Sequence, residues 1–433
     1  MTDTQEEAKT PKPLQLTNEL LDSWATDSNG PVALHLKQRL LSVEGEVGED
    51  QIIYPPTYAD IGYNIDRLAD GTRVALIDSV GSQANRLEPA FQSGSGHDLA
   101  GLVPQIDIVI RKEPCGKCES CKDEKPPKAE KCKEPRKEKR SLFELAHRAA
   151  DAVVQCSPKL RPSVKDAFDL LLNEGDAALL CTIAPTSLVF GCWDSRGGSG
   201  EKRPRLVRSV IRAWDVDELH SAAQFNSISK SLTEDEVLDL KKAAKTNTIE
   251  LSEIGMADAP AVTYPGTNRR VLGGIVVRDR IQRDVTINLV ALRGLNGGKH
   301  TEELRKYLLG LSIMAATADI VLFLREGCHL RYADKDDIWQ IVPRRGDKLP
   351  IDLTSESSRD VLSQYTATAF SPFKKKWCEL KWDDAEEGAV DSADEKGSSD
   401  EVTPLEVEFS LQQTKKLLEE TAKQKKKKKQ AEG

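Results

Sequence analysis

Alternating hydrophobic and polar positions predict strands and helices in mixed order along this chain. The run over 71–78 and the run over 102–110 are typical of strands, and the apolar stretch 32–41 is predicted to be structured. The firmest helix prediction covers 301–318, where the apolar side chains fall on one side. The elements lack the strict period of a doubly wound sheet, so an α+β core with long insertions is expected.

Start signals refine this picture. Ser141 and Ser163 each stand where a serine can cap a helix, and a helix is predicted after each of them. The segment 271–293 alternates apolar and basic residues around Gly273 and Gly274. That pattern predicts paired strands.

Composition divides the chain into a core, two insertions and polar ends. The predicted divisions are a flexible N-terminal segment at 1–30, a core at 31–380, a charged Cys-rich insertion at 111–140, a polar surface insertion at 221–270, an acidic linker at 381–404 and a Lys-rich helix or tail at 405–433. No internal repeat is evident, which argues against a solenoid fold.

The net charge of -8 is local rather than general. Residues 383–401 hold nine acids and one lysine, so they account for the whole imbalance, and the location of charge must decide about a nucleic-acid partner. The N-terminus lacks the basic and apolar regions of a signal peptide, and the most apolar stretch, 308–324, is shorter than the ~20 residues that a bilayer requires. A cytoplasmic protein without a membrane partner is expected.

Two basic strips are candidates for contact with phosphates. The first strip lies within residues 196–212, where Glu201 is the one acid. Its basic residues are Arg196, Lys202, Arg203, Arg205, Arg208 and Arg212. As a strand it would place Arg208, Arg212 and Trp214 on one face, whereas as a helix it would leave the arginines in solvent; β-branched content favours the strand. The second strip consists of Arg269, Arg270, Arg278, Arg280, Arg283 and Arg293.

Four cysteines are clustered in a segment that has almost no large apolar residues of its own. They are Cys115, Cys118, Cys121 and Cys132. Tetrahedral zinc would supply the missing core, and a structural Zn²⁺ is the favoured prediction. Unliganded thiols and an iron–sulfur cluster remain as alternatives, although the spacing is not that of a bacterial ferredoxin.

Enzyme motifs fail on inspection. The glycine-rich segment 197–202 lacks the order of a phosphate-binding loop, and no GxSxG elbow or HExxH pair occurs. Asp78, at the end of a predicted strand, is a candidate ligand for a divalent ion, but a structural turn role is favoured for it.

Four segments together resemble a known family. They are 76–88, 184–197, 205–216 and 324–328. These segments are similar to the backbone ("Cas-seven") subunit of type I-G CRISPR effector complexes, formerly type I-U, and the resemblance covers roughly residues 50–345. The family belongs to the RAMP superfamily, so the resemblance implies a core of the RRM or ferredoxin-like type with large insertions.

The resemblance implies a non-enzymatic role in antiviral defence. Copies of such a subunit polymerise along a CRISPR RNA (crRNA), beside other subunits of a Cascade-like complex, and present the RNA for pairing with target DNA. The residues predicted to contact RNA are Ser82, Gln83, Asn85, Arg86, Arg196, Arg203, Arg205, Arg208, Arg212, Gly273, Gly274, Arg278, Arg280 and Arg283. The alternatives are a type III-like subunit that cleaves target RNA with a metal bound by Asp78, and a free-standing zinc-dependent nucleic-acid module.

Overall fold

The fold is mixed α+β, as predicted. The computed structural model describes residues 12–97, 99–118, 121–122, 132, 135–193, 203–221, 223–225, 228–249, 251, 254–256, 259–261, 270–335, 338–380, 404–419 and 422. The strands are β1 (Ala33–Ser42), β2 (Gln51–Ile53), β3 (Thr57–Tyr58), β4 (Gly62–Tyr63), β5 (Ile65–Arg67), β6 (Arg73–Asp78), β7 (Ile106–Glu113), β8 (Arg136–Ser141), β9 (Val207–His220), β10 (Ala223–Phe225), β11 (Ala259–Ala261), β12 (Leu272–Asn288), β13 (Phe323–Arg325), β14 (Cys328–Tyr332), β15 (Trp339–Val342), β16 (Leu349–Ile351) and β17 (Leu405–Glu408). The α-helices are α1 (Asn18–Thr26), α2 (Val80–Leu87), α3 (Ala152–Gln155), α4 (Leu160–Asn173), α5 (Ala178–Ile183), α6 (Thr186–Val189), α7 (Glu234–Thr246), α8 (Leu289–Arg293), α9 (Thr301–Thr317) and α10 (Glu356–Glu379).

A ten-stranded antiparallel sheet organises the molecule. Its main path runs β13-β14-β1-β12-β9-β6-β5, while β15 pairs with β1 and β16, and β2 pairs with β12. Four of these strands, taken in chain order as β1, β9, β12 and β14, lie side by side in the order 4-1-3-2. Helices occur in the connection from β1 to β9 and in the connection from β12 to β14.

Helices cover one face of this sheet. The predicted helix over 301–318 is confirmed as α9, which packs on β12, β9 and α10. Its Tyr307 stacks on Phe370 and Phe373 of α10, with ring centroids 4.9 and 5.7 Å apart, and its hydroxyl donates to the carbonyl of Leu102 at 2.6 Å. Aromatic stacking and a satisfied hydroxyl thus join α9 to α10 and to the segment before β7.

A second, three-stranded sheet has the order β17-β7-β8. β7 and β8 form an antiparallel hairpin whose connection contains the four clustered cysteines, and β17 pairs with β7 in parallel. The segment predicted as a Lys-rich helix or tail therefore begins with a strand, and residues 411–419 after it are helical.

Three local predictions need correction. Ser141 caps only the 3₁₀ turn Leu142–Glu144, because the extended backbone of Leu145 ends it. The helix predicted to start at Ser163 is α4, which begins three residues earlier because Pro162 is tolerated in a first turn. The paired strands predicted over 271–293 are the single strand β12, whose main partners are β1 and β9.

The polar insertion predicted at 221–270 contains the short pair β10 and β11 and the helix α7. Thr233 and Glu236 form a capping box at the start of α7, and none of its thirteen described residues is buried. This helix therefore lies at the surface. Among the described residues, no helix has both the length and the apolarity needed to cross a bilayer.

Candidate nucleic-acid interface and metal centre

The face of the large sheet opposite the helices is open to solvent. Successive side chains of a strand point to opposite faces, so the buried Ile281, Val285 and Ile287 of β12 direct their neighbours to this open face. β1 and β9 alternate in the same way, which confirms the strand prediction for the part of the first basic strip that carries Arg208 and Arg212. The side chains of the open face, called the cationic face from here on, are His35, Lys37, Arg39, Arg208, Arg212, Trp214, Arg280, Gln282, Asp284 and Thr286.

Antiparallel pairing arranges these side chains in cross-strand rows. The rows are Arg39–Gln282–Arg212, Lys37–Asp284–Val210 and His35–Thr286–Arg208, and Val210 is a buried apolar side chain within this otherwise polar face. Among the residues of the cationic face, Asp284 is the one carboxylate against five lysines and arginines. Burial, and then the charge of Lys348, lowers the pKa of His35, so its imidazole is neutral at pH 7 and contributes a hydrogen bond rather than charge.

Trp214 is the aromatic residue of the cationic face. The guanidinium carbon of Arg280 lies 4.5 Å from its ring centroid, a cation–π contact, and Arg280 Nε donates to Gln282 Oε1 at 3.2 Å. The indole Nε1 has no hydrogen-bond partner among the described residues. A guanidinium stacked on an indole is a surface on which a nucleobase can stack.

A cleft opens at one end of the cationic face. Its lining residues are Val80, Arg205, Leu206, Arg208, Thr286 and Asn288. Val80 begins α2, and the Ser79 side chain accepts a hydrogen bond from the Ser82 amide at 3.2 Å. The structure thus brings Arg205 and Arg208 beside the start of α2, where two of the four segments that carry the resemblance meet.

Gln83 and Arg283 are interior residues, with 0% and 2% of their surface exposed. Arg283 Nε donates to Gln83 Oε1 at 3.1 Å and to Ser209 Oγ at 3.0 Å, and its Nη1 donates to Gln38 Oε1 at 3.0 Å. Gln83 Nε2 donates to Asp78 Oδ2 at 2.6 Å. Gln83 and Arg283, both predicted to contact RNA, therefore lie in the interior, where their side chains join α2 to the sheet.

Asp78 belongs to the same hydrogen-bond network as Gln83, and two arginines lie beside its carboxylate. It is 1% exposed; Arg86 Nε donates to its Oδ2 at 3.1 Å, and Arg325 Nη2 lies 3.7 Å from its Oδ1. Arg86 Nη2 also donates to the carbonyl of Leu324 at 2.9 Å. Arg86, predicted to contact RNA, thus ties the 76–88 segment to the 324–328 segment.

Asn85 is exposed and accepts a hydrogen bond from Arg148 Nη2 at 3.3 Å. Arg148 in turn forms a buried ion pair with Glu88, Nε to Oε2 2.6 Å. Burial raises the pKa of Glu88 to about 7 although the Arg148 charge acts in the opposite direction. This pair attaches α2 to the segment that follows β8.

The close backbone approach predicted at Gly273 and Gly274 is present, but the neighbour is the chain itself. A Cβ on Gly273 would lie 2.6 Å from the carbonyl carbon of His220 at the end of β9. Gly274 has φ 97° and donates its amide to the Tyr63 hydroxyl at 2.9 Å. Both glycines lie inside β12, at a shift in its pairing register with β9, where the positive φ of Gly274 and the close approach at Gly273 favour glycine.

Three further arginines were predicted to contact RNA. Two of them lie apart from the cationic face, and the third is outside the described residues. Arg278 pairs with Asp50 at 2.8 Å and with Asp217 at 2.9 Å. Arg203 Nη2 donates to the carbonyl of Leu171 at 3.3 Å. Arg196 lies outside the described residues.

Lys37 and Arg39 are functional candidates that sequence reasoning missed. Both are exposed on β1, where Leu34, Leu36 and Leu40 alternate with polar residues. That two-residue period was the available signal, because it predicts a strand with one polar face.

The four clustered cysteines converge in space. Their Sγ atoms all lie within 4.8 Å of one another, and the separations are 3.3 Å for 118–121, 3.7 Å for 118–132 and 3.9 Å for 115–121. Tetrahedral Zn–S bonds of about 2.3 Å place sulfurs roughly 3.8 Å apart. The spacing is therefore compatible with a structural metal site, and it leaves no room for the inorganic core of an iron–sulfur cluster.

Backbone amides prepare this cluster for a cation. The amides of Lys117 and Cys118 donate to Cys115 Sγ at 3.4 and 3.3 Å and lower the pKa of that thiol to about 6. Burial raises the pKa of Cys121 to about 12. A divalent ion would offset the energetic cost of burying charged thiolates, so all four sulfurs could bind it as thiolates. The ion would thereby cross-link the β7–β8 connection.

Replacing Cys118 by serine should abolish zinc binding, because three thiolates and a hydroxyl hold the ion far more weakly than four thiolates. Elemental analysis should find near one zinc per wild-type chain and little in the variant. Cys378→Ser is the matched control, since that cysteine is exposed on α10 outside the cluster. Wild-type protein purified without chelators and free of zinc would contradict the assignment.

The fold and these two groups of residues define a mixed α+β protein with one cationic sheet face and a four-cysteine cluster of metal-binding type. Residues 34–218, from β1 to near the end of β9, match the family model described as CRISPR-associated protein GSU0053. The match covers less than half of the 433 residues, and it shows that this part of the chain is similar to that CRISPR-associated family. No curated protein matches the chain.

Proposed function

We propose that this chain is the crRNA-binding backbone subunit of a type I-G, Cascade-like complex, in which copies polymerise along the crRNA and present it to target DNA. The cationic face carries the proposal. Lysine and arginine side chains from β1, β9 and β12 lie in register there, with Asp284 as the one carboxylate among the residues of this face and Asp279 beside it in an ion pair with Arg280. Such a surface attracts a phosphate backbone.

The strand order supports the same proposal. The order 4-1-3-2, with helices in both crossover connections and on one face, is that of the ferredoxin-like fold on which RRM and RAMP cores are built. In an RRM the open face of this sheet binds single-stranded RNA. The cationic face is the corresponding face of this chain.

The residue types on the cationic face favour backbone contact over base readout. Five cations serve phosphates, whereas Trp214 is the one aromatic residue of the face. We therefore propose that the subunit holds RNA of any sequence and that base pairing supplies specificity.

Co-expression with CRISPR arrays tests the proposal. The purified chain should carry array-derived RNA, and arrays with unrelated spacers should be bound equally well, since phosphate contacts carry no sequence information. RNA-free protein from every array, or binding confined to one spacer, would contradict it.

We also propose that the subunit does not cleave RNA. Asp78, the candidate for metal-dependent cleavage, is buried, and its carboxylate already accepts hydrogen bonds from Gln83 and Arg86. RNA complementary to the bound crRNA should stay intact with Mg²⁺. Regular cuts that Asp78→Asn abolishes, and that the exposed Asp66→Asn leaves unchanged, would overturn this proposal.

A further inference from the structure

The C-terminal strand docks on the β7–β8 hairpin as a short separate segment. β17 runs parallel to β7, with Glu406 opposite Asp107, and Val407 is 1% exposed. The Leu405 amide donates to the carbonyl of Gln105 at 2.8 Å, where the strand begins. This is β-augmentation, in which one short strand supplies both backbone hydrogen bonds and an apolar anchor.

Charge complementarity reinforces this docking. Glu406 contacts Lys137 and Lys139 of β8, and Glu408 contacts Lys112 of β7. Two acids on the strand thus meet three lysines of the hairpin. The docking surface consists of the hairpin and residues beside it, so every copy of the chain offers one complete surface.

The connection to this strand is long. Between Leu380 at the end of α10 and Pro404 lie the 23 residues 381–403, outside the described part of the chain. A segment of this length spans at most roughly 80 Å. A compact chain of this size has a radius of gyration of roughly 22 Å. The strand can therefore reach the hairpin of an adjacent copy as well as its own.

We propose that β17 is exchanged between adjacent copies, docking on the hairpin of a second copy of this chain and linking neighbours. This inference rests on the proposed function, because exchange requires that copies of the chain lie side by side. Exchange costs little because the same backbone and ion-pair contacts form within one chain or between two. In adjacent copies the length of the connection, rather than the bulk concentration of protein, sets the effective concentration of the neighbour's hairpin.

Cysteines placed at one register pair test the exchange. Asp107→Cys on one tagged copy and Glu406→Cys on a second, differently tagged copy are co-expressed with a CRISPR array and oxidised. A disulfide between the two tags should form in the RNA-loaded protein. Each variant co-expressed with wild type is the control against reaction with native cysteines.

A single chain carrying both substitutions shows whether the pair can form a disulfide at all. If that chain oxidises internally but no disulfide joins the two tagged copies, with or without RNA, strand exchange is wrong. The RNA content of the same preparations is measured separately. A failure of the proposed RNA binding is thereby distinguished from a failure of exchange.

Discussion

Replacing Arg208 and Arg212 together by glutamate should weaken RNA binding by about two orders of magnitude near physiological salt. Both side chains lie on the cationic face of β9, so the substitution removes two phosphate contacts and adds two repulsive carboxylates. The plot of log affinity against log salt should also become shallower, by about 1.4 for two contacts to a single strand. Fluorescence anisotropy of labelled RNA over a salt series measures both quantities.

The matched control changes the same charge on the other side of the sheet. Lys374 and Lys375 are exposed on α10, which belongs to the helical layer, and their replacement by glutamate should leave affinity within a few-fold of wild type. Equal losses in the two double variants would mean that RNA responds to net charge alone. Unchanged binding in the Arg208 and Arg212 variant would remove the cationic face from the proposal.

Arg208 and Arg212 share one face of a sheet only if their segment is a strand, and the sequence alone leaves that open. Leu206, Val207, Val210 and Ile211 fit a helical stripe as well as a strand, so local periodicity alone could not decide. Pairing of β9 with β12 decides it, because backbone hydrogen bonds along both strands stabilise the extended form. Such non-local pairing is absent from any window of sequence.

The composition of the C-terminal segment obscured the strand β17. Residues 405–408 alternate Leu, Glu, Val and Glu, a period of two, yet they adjoin a lysine-rich segment that was predicted to be helix or tail. Their partner β7 lies about 300 residues earlier in the chain. The four-cysteine cluster, in contrast, was predictable because its ligands lie within 18 residues and have no other role in a segment without a core.

Polar side chains of α2 show where sequence reasoning about contacts fails. Gln83 stands four residues before Leu87, on the buried side of the helix, so its burial was signalled by spacing. The partners that make this burial tolerable, Ser209 and Arg283, are 126 and 200 residues away. Spacing along α2 can therefore indicate that Gln83 is buried, but its hydrogen-bond partners are visible only in the fold.

Replacing Gln83 by leucine should destabilise the fold by about 3 kcal/mol, through loss of hydrogen bonds to a buried cation and a buried carboxylate. The amide donates to Asp78 and accepts from Arg283, so leucine leaves both charges without their shared neighbour. Urea denaturation should give a lower midpoint. Gln364→Leu, exposed on α10, is the control and should change stability by less than about 0.5 kcal/mol.

Replacing Gln83 by glutamate separates a hydrogen-bonding role from mere packing. The introduced carboxyl would stand between Asp78 and Arg283. Burial and the like charge of Asp78 should raise its folded pKa above the ordinary value near 4.3 although the Arg283 charge acts in the opposite direction, as burial outweighs Arg148 at Glu88. A raised folded pKa means that its stabilising contribution is present at low pH and lost as pH rises through that pKa. The variant should therefore come closest to wild type near pH 5 and fall behind at pH 8, whereas the leucine variant should show no such added slope. Parallel pH profiles for the two variants would show that Gln83 acts by filling space.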